Sequence, residues 1–349
     1  MLPSMDDNPQ AQTSWRIDWE FGSAEVRALG AMLGPVRFKL DATRDLEVMH
    51  VAPWAGQASS SSLPGVLRSL RGEWPCVPFG RTDPPLDLPA DWTLREPEDD
   101  WSHGYGSNHV WTCEEVGPDH ILLTINYPAS AAVSRLERRI QAVAGTAALD
   151  IELTIHPRRT VTLPIGLHPT FRLPSPSGRV LIDVEANEGI YTYPSRSAGE
   201  STLLRPDQRG ESLDQMPGVY GNVDLSRLPL QTDTEELLQV RGLAGRGDRA
   251  PLRLHYLDHD AQVELWWDTS VLPDLMLWVS NRGRAGVPWQ SRHVALGAEP
   301  VNSVFDLSRV AQPAIAHPLS DRRGIELVAG KPWTTRYRMA ARQALTIGA

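Results

Sequence analysis

Short runs in which apolar and polar residues alternate recur along the whole 349-residue chain, with turn residues between them. Alternation of period two marks strands with one covered face. Stretches of helical period are scarce, so the chain is expected to be antiparallel and all-β. Val36-Arg-Phe-Lys-Leu40 alternates as a half-exposed strand, and His120-Ile-Leu-Leu-Thr-Ile-Asn-Tyr127 reads as a more deeply covered one. Arg139-Ile-Gln-Ala-Val143 and Leu149-Asp-Ile-Glu-Leu-Thr-Ile155 flank Ala144-Gly-Thr-Ala-Ala148, which reads as a hairpin turn. Residues 261–267, 275–279 and 333–339 repeat the theme, with Asn281-Arg-Gly283 as a turn. Two large stacked sheets would cover each other's apolar faces, and 349 residues suffice for one large sandwich domain over 1–349. Residues 1–14 are expected to be flexible, and 55–62 and 195–215 read as loops.

Composition narrows the function. The formal net charge is −9 and no stripe of Lys or Arg occurs, so a nucleic-acid phosphate backbone has nothing to bind. The first fifteen residues hold Asp6, Asp7, Asn8 and two prolines and no apolar core, so they read as neither signal peptide nor membrane span. Two cysteines, Cys76 and Cys113, make no disulfide framework and no metal-ligand spacing, which suits a reducing compartment. The expectation is a cytoplasmic protein, monomer or homodimer, without nucleic-acid or membrane partners. Twelve tryptophans against five phenylalanines favour a sugar ligand, because an indole face stacks on the C–H face of a sugar. Tryptophan also fills β cores.

The most telling segment is Leu163-Pro-Ile-Gly-Leu-His-Pro-Thr-Phe-Arg-Leu173. Proline disfavours helical geometry in the residue before it, so His168 should project from a strand or strand end. On that period it shares a face with Gly166 and Thr170, while Leu167, Pro169 and Phe171 face the other way. Taken alone, it also suits a core histidine satisfied by one hydrogen bond. Three other segments set reactive side chains among turn residues: 100–111, with His103 and His109; 70–81, with Arg71, Trp74 and Arg81; and Val294-Ala-Leu-Gly-Ala-Glu-Pro300, ending on Glu299.

In chain order, Leu29-Gly-Ala-Met-Leu-Gly34, Arg71-Gly-Glu-Trp-Pro75 with Phe79-Gly80, His103-Gly-Tyr105, Leu167-His-Pro-Thr-Phe171 and Gly297-Ala-Glu-Pro300 resemble the aldose 1-epimerase, or galactose mutarotase-like, superfamily. The likeness spans most of the chain. It implies a β-supersandwich of two large antiparallel sheets that binds a monosaccharide and interconverts its α and β anomers without metal or organic cofactor. By this resemblance His168 would protonate the ring oxygen and Glu299 would take the proton from the anomeric hydroxyl. His103 would hydrogen-bond the ring oxygen or a neighbouring hydroxyl, and Arg71 would orient the sugar, with Trp74 as a stacking platform. Opening a hemiacetal needs a base and an acid together, and closure on the other carbonyl face reverses both roles.

Three departures from the family pattern bear on the substrate. Ser107 stands where the hexose-6-phosphate branch has an arginine, leaving Arg81 or Arg172 to meet a phosphate. Glu73 replaces a small glycine and is expected to add negative charge near the site, which favours a neutral sugar. For the family's substrate-binding aspartate only Glu236, in Asp233-Thr-Glu-Glu-Leu237, offers itself. Two other classes stay open: a non-catalytic carbohydrate-binding protein on the same fold, and a zinc hydrolase using His103, His109, His168 and Glu299. Spacing disfavours the second, and a polysaccharide lyase would normally add a helical domain.

Overall fold

The structure, a computed structural model, describes residues 13–196, 202–245 and 249–344. The flexible leader expected at 1–14 lies outside the described residues up to 12. Ser14 itself already pairs with Arg27 in the first strand. Part of the expected 195–215 loop, 197–201, is likewise outside; the rest includes a strand pair at Arg209–Gly210 and a single 3-10 turn at Leu213–Gln215.

Two large antiparallel sheets dominate. The first has nine strands, with Ala261–Trp267, Trp333–Gln343, Ala148–Pro157 and Val133–Ala142 side by side near its middle. Their burial alternates along each strand, as it must where one face meets the core and the other meets water. The second has eight strands, centred on Thr234–Arg241, Asp274–Asn281 and Val294–Asn302. These are buried at almost every position, because both of their faces are covered. Leu238, Val240, Leu275, Leu277, Val279 and Leu296 pack with Leu123, Leu136, Ile140 and Leu149 of the nine-stranded sheet. On the opposite face, Leu237, Met276, Trp278 and Val301 pack with Trp54, Trp74, Phe79 and Phe305 from loops. A separate four-stranded sheet spans 14–47. Among the described residues no helix is long and apolar enough to cross a membrane.

The 70–76 segment is wedged between these parts. Leu33 and Glu73 exchange backbone hydrogen bonds at 2.8 and 3.0 Å. Between them Gly72 has φ +53, and a Cβ there would lie 1.7 Å from the Leu33 carbonyl oxygen. Neither the backbone angle nor the space admits a side chain. Gly72→Ala is expected to cost about 2 kcal/mol or more in urea unfolding, whereas unchanged stability would mean that the wedge relaxes freely.

Candidate functional site

Val294–Asn302 aligns the candidate site. Ile165–Leu167 pairs with one half of this strand and Thr170–Arg172 with the other. Gly166 stands opposite Val301 and Thr170 opposite Gly297. The register is therefore kept across the interruption, and His168 comes level with Glu299. Pro169 donates no backbone hydrogen bond, yet its carbonyl accepts from Ala298 N–H at 2.9 Å. On the other side His168 N–H donates to the Trp74 carbonyl at 3.0 Å.

His168 and Glu299 thus project onto the second covered face of the sheet, 5% and 1% exposed. His168 Nε2 lies 3.3 Å from Glu299 Oε1. The two are close without being aligned, and neither carboxyl oxygen of Glu299 has a hydrogen-bond partner among the described residues. Thr170 Oγ1 is 3.3 Å from His168 Nδ1, and a ring proton donated from Nδ1 to that hydroxyl leaves the Nε2 lone pair of a neutral ring facing Glu299. Trp74 stacks on the imidazole, 4.1 Å between ring centres at 19°. Trp278 and His103 meet it edge-on at 6.0 and 5.0 Å. Gly297 keeps room for the carboxyl: a Cβ there would sit 2.7 Å from Glu299 Oε1.

Burial sets the charge states. It pushes Glu299 well up, with Asp306 adding to the shift, and it pushes His168 well down, with His103 adding. Both effects disfavour a lone charge, so the pair is best described as holding one proton between its members. Whichever partner holds that proton is an acid, and the other is a base.

The other expected residues divide. His103 joins the pair and packs against Phe79; burial, then Arg309 and Arg81, lower it to about 4. Arg81 comes near as well, donating through Nη1 to Tyr193 Oη at 3.4 Å and interacting with Asp306. Glu236 is not brought there. Strand alternation turns it to the face opposite Leu237 and Trp278, where it accepts from Thr202 Oγ1, Leu203 N–H and Thr234 Oγ1. Arg71 also departs from the expected place. Its Nε donates to the Ser69 carbonyl at 3.0 Å, and the charges acting on it are Arg27 and Glu25 of the four-stranded sheet.

Glu73 adds no charge beside the His168–Glu299 pair, because its carboxylate is turned into the sandwich and paired with Arg138. Ser107 is buried and donates toward the Pro75 and His103 carbonyls, so it offers nothing to a ligand. Arg172 pairs with Glu47 at 2.6 Å on an exposed edge. His109 stacks on Tyr105 and contacts its carbonyl at 2.9 Å, and no group of three or more His, Cys, Asp or Glu among the described residues is arranged to hold a metal. Cys76 and Cys113 are both free.

One acidic residue near the pair was not singled out from the sequence. Asp306, half-buried in the turn after the Glu299 strand, accepts from Tyr193 Oη at 2.8 Å and interacts with Arg81, Arg284 and Glu299.

The raised Glu299 has a consequence for stability. A carboxyl whose folded pKa exceeds its unfolded value contributes stability that is intact below the unfolded value and lost as pH rises through the folded one. Glu299→Gln removes that loss. The unfolding free energy of the variant minus that of the wild type is expected to climb with pH above the ordinary value of 4.5, read from urea titrations at several pH values. A flat difference would mean that Glu299 ionises as an exposed carboxyl does.

No family model matches the sequence, and no curated protein does. Solved structures do match. The GalM/aldose epimerase homologue from C. elegans superposes with TM-score 0.62 at 12% identity, covering 95% of this chain and 99% of that one. The galactose mutarotase related enzyme from Lactobacillus acidophilus gives 0.59 at 16%, covering 95% and 98%. A galactose mutarotase-like protein from Lactobacillus casei gives 0.56 at 13%, covering 94% and 99%. With its two large antiparallel sheets and this near-complete overlap, the chain has the galactose mutarotase-like β-sandwich fold.

Proposed function

We propose that the protein is an aldose 1-epimerase that opens and recloses the ring of a free hexose. The observation that carries this reading is the His168–Glu299 pair: two buried titratable groups 3.3 Å apart, the carboxyl lacking a hydrogen-bond partner among the described residues. A buried carboxyl is costly when unsatisfied, and a site for hydroxyl groups is where such a cost has a use.

The steps balance. With the shared proton on His168, Glu299 takes the proton of the anomeric hydroxyl while His168 gives its own to the ring oxygen. The C1–O5 bond breaks, and C1 becomes an aldehyde. The pair now carries its proton on Glu299. Rotation about C1–C2 presents the other carbonyl face, and ring closure returns both protons. The working pair therefore regains its initial state without a cofactor in this scheme.

His103, Trp74 and Trp278 border the pair, and this reading assigns the hydrogen-bonded Arg81, Tyr193 and Asp306 to hydroxyls of the same sugar. A second carboxyl in this cluster, with Ser107 buried in place of an arginine, favours a neutral hexose over its phosphate.

Polarimetry of freshly dissolved glucose, galactose and their 6-phosphates tests the proposal. The wild type should accelerate anomer exchange of a neutral hexose, and His168→Ala or Glu299→Gln should each lower kcat by about 10²- to 10⁴-fold. Sugar binding without acceleration beyond the His168→Ala control would leave a carbohydrate-binding protein instead.

A further inference from the structure

We propose that the buried Glu73–Arg138–Tyr337 triad is a positioning device that holds the Trp74 loop against the nine-stranded sheet and thereby fixes the His168 imidazole opposite Glu299. The inference rests on the acid–base reading of that pair. It concerns three residues that lie in the sandwich interior and do not touch the pair.

Glu73 and Arg138 are 0% and 1% exposed. Arg138 Nη2 is paired with Glu73 Oε2, and Tyr337 Oη donates to Glu73 Oε1. Arg138 and Tyr337 belong to Val133–Ala142 and Trp333–Gln343 of one sheet, whereas Glu73 belongs to the loop that edges the other. The contact therefore crosses the core. Among the described residues Arg138 Nε and Nη1 have no hydrogen-bond partner, so the triad is not fully satisfied there. A buried ion pair in that condition gives no stability that apolar residues of similar volume would not give. Its distinctive product is direction, because a carboxylate held at both oxygens can point only one way.

That direction is passed on through adjacent residues. Glu73 turns into the sandwich and Trp74 turns to the opposite side, so fixing one side chain fixes the other. Among the described residues Trp74 Nε1 has no hydrogen-bond partner beyond an interaction with the buried Cys76 thiol, so the indole plane depends mainly on its backbone and packing. The same backbone accepts the His168 N–H at 3.0 Å through Trp74 and the Thr170 N–H at 2.8 Å through Gly72. The indole then sets the plane of the imidazole by stacking at 4.1 Å. A proton transfer is sensitive to small displacements of the groups that make it.

The decisive variant replaces both charges by unbranched apolar side chains, Glu73→Met together with Arg138→Met. Its melting temperature is expected to stay within about 5 °C of the wild type, since losing the partly satisfied ion pair offsets the loss of the Tyr337 Oη acceptor, while kcat for anomer exchange falls by about 10- to 100-fold and KM stays within about twofold. In parallel, the His168 ring signals, assigned by their loss in His168→Ala, should shift in nitrogen-15 NMR as the indole ring current moves. A folded double variant with kcat within about twofold of wild type and unmoved His168 signals overturns the proposal. Should the double variant fail to fold, Tyr337→Phe decides. It keeps the ion pair and frees one carboxyl oxygen, and kcat should fall by about threefold with KM unchanged; an unchanged kcat overturns the proposal. If the wild type shows no exchange with any hexose, the acid–base reading fails separately, and the His168 signals alone decide the tether.

Discussion

Covering the eight-stranded sheet on both faces leaves no water-facing side for the polar residues its strands carry. Glu235, Gln239, Asp274, Ser280 and Glu299 are all buried there, and each must find partners inside. Most do. Glu235 accepts from Trp278 Nε1 and Ser280 Oγ and pairs with Arg284. Asp274 accepts from Gln239 Nε2, Gly242 N–H and Arg322. Glu236, one residue along, is held by Thr202, Leu203 and Thr234. Among these carboxyls Glu299 alone has no hydrogen bond, which separates it from structural acids more sharply than burial does.

The same double covering explains why the pair can work as a unit. In water His168 and Glu299 would each take its ordinary charge; out of water each prefers neutrality, and 3.3 Å between them lets one proton serve both. Trp74 on one side of the imidazole and Trp278 at its edge keep the surroundings apolar. The packing that stabilises the sheet and the environment that tunes the pair are thus one arrangement.

Strands were readable where one face meets water. Ala261–Trp267 has the bounds its alternation implies, and the hairpin at 144–148 joins Val133–Ala142 to Ala148–Pro157. The 275–279 run extends to Asp274–Asn281 because its polar ends are bonded from outside the strand: Asp274 by Arg322, and Asn281 Nδ2 by the Leu230 and Thr232 carbonyls. His168 and Glu299 were legible as residues beside prolines on apolar runs, though only pairing brings them level. Glu235 and Glu236 show the limit. Adjacent residues on a strand face opposite ways, and nothing in Thr-Glu-Glu-Leu says which glutamate shares the face of Trp278 until the register is known. Arg71 and Glu73 misled for a related reason, since the loop's wedging against Leu33 and the partner Arg138 come from distant segments.

Asp306 was the least legible residue, and its placement shows how the hidden sheet polar groups bear on the surroundings of Glu299. It follows Phe305, a bulky residue with φ +46, where sequence reasoning would look for glycine or asparagine. A backbone angle of that kind persists only when its surroundings overdetermine it. Here Phe305 N–H donates to Gln239 Oε1 at 2.5 Å, while Gln239 Nε2 donates to Asp274 and to the Ser303 carbonyl. Val304 N–H is held by Ser308 Oγ at 2.7 Å, and the Phe305 ring is buried in the cluster with Trp74, Phe79 and Trp278. The amide that satisfies Asp274 in the sheet is therefore the amide that pins the turn, and pinning the turn aims Asp306 at Tyr193 and Arg81. Satisfying the buried polar groups of a doubly covered sheet and placing Asp306 near Glu299 are accomplished by the same hydrogen bonds.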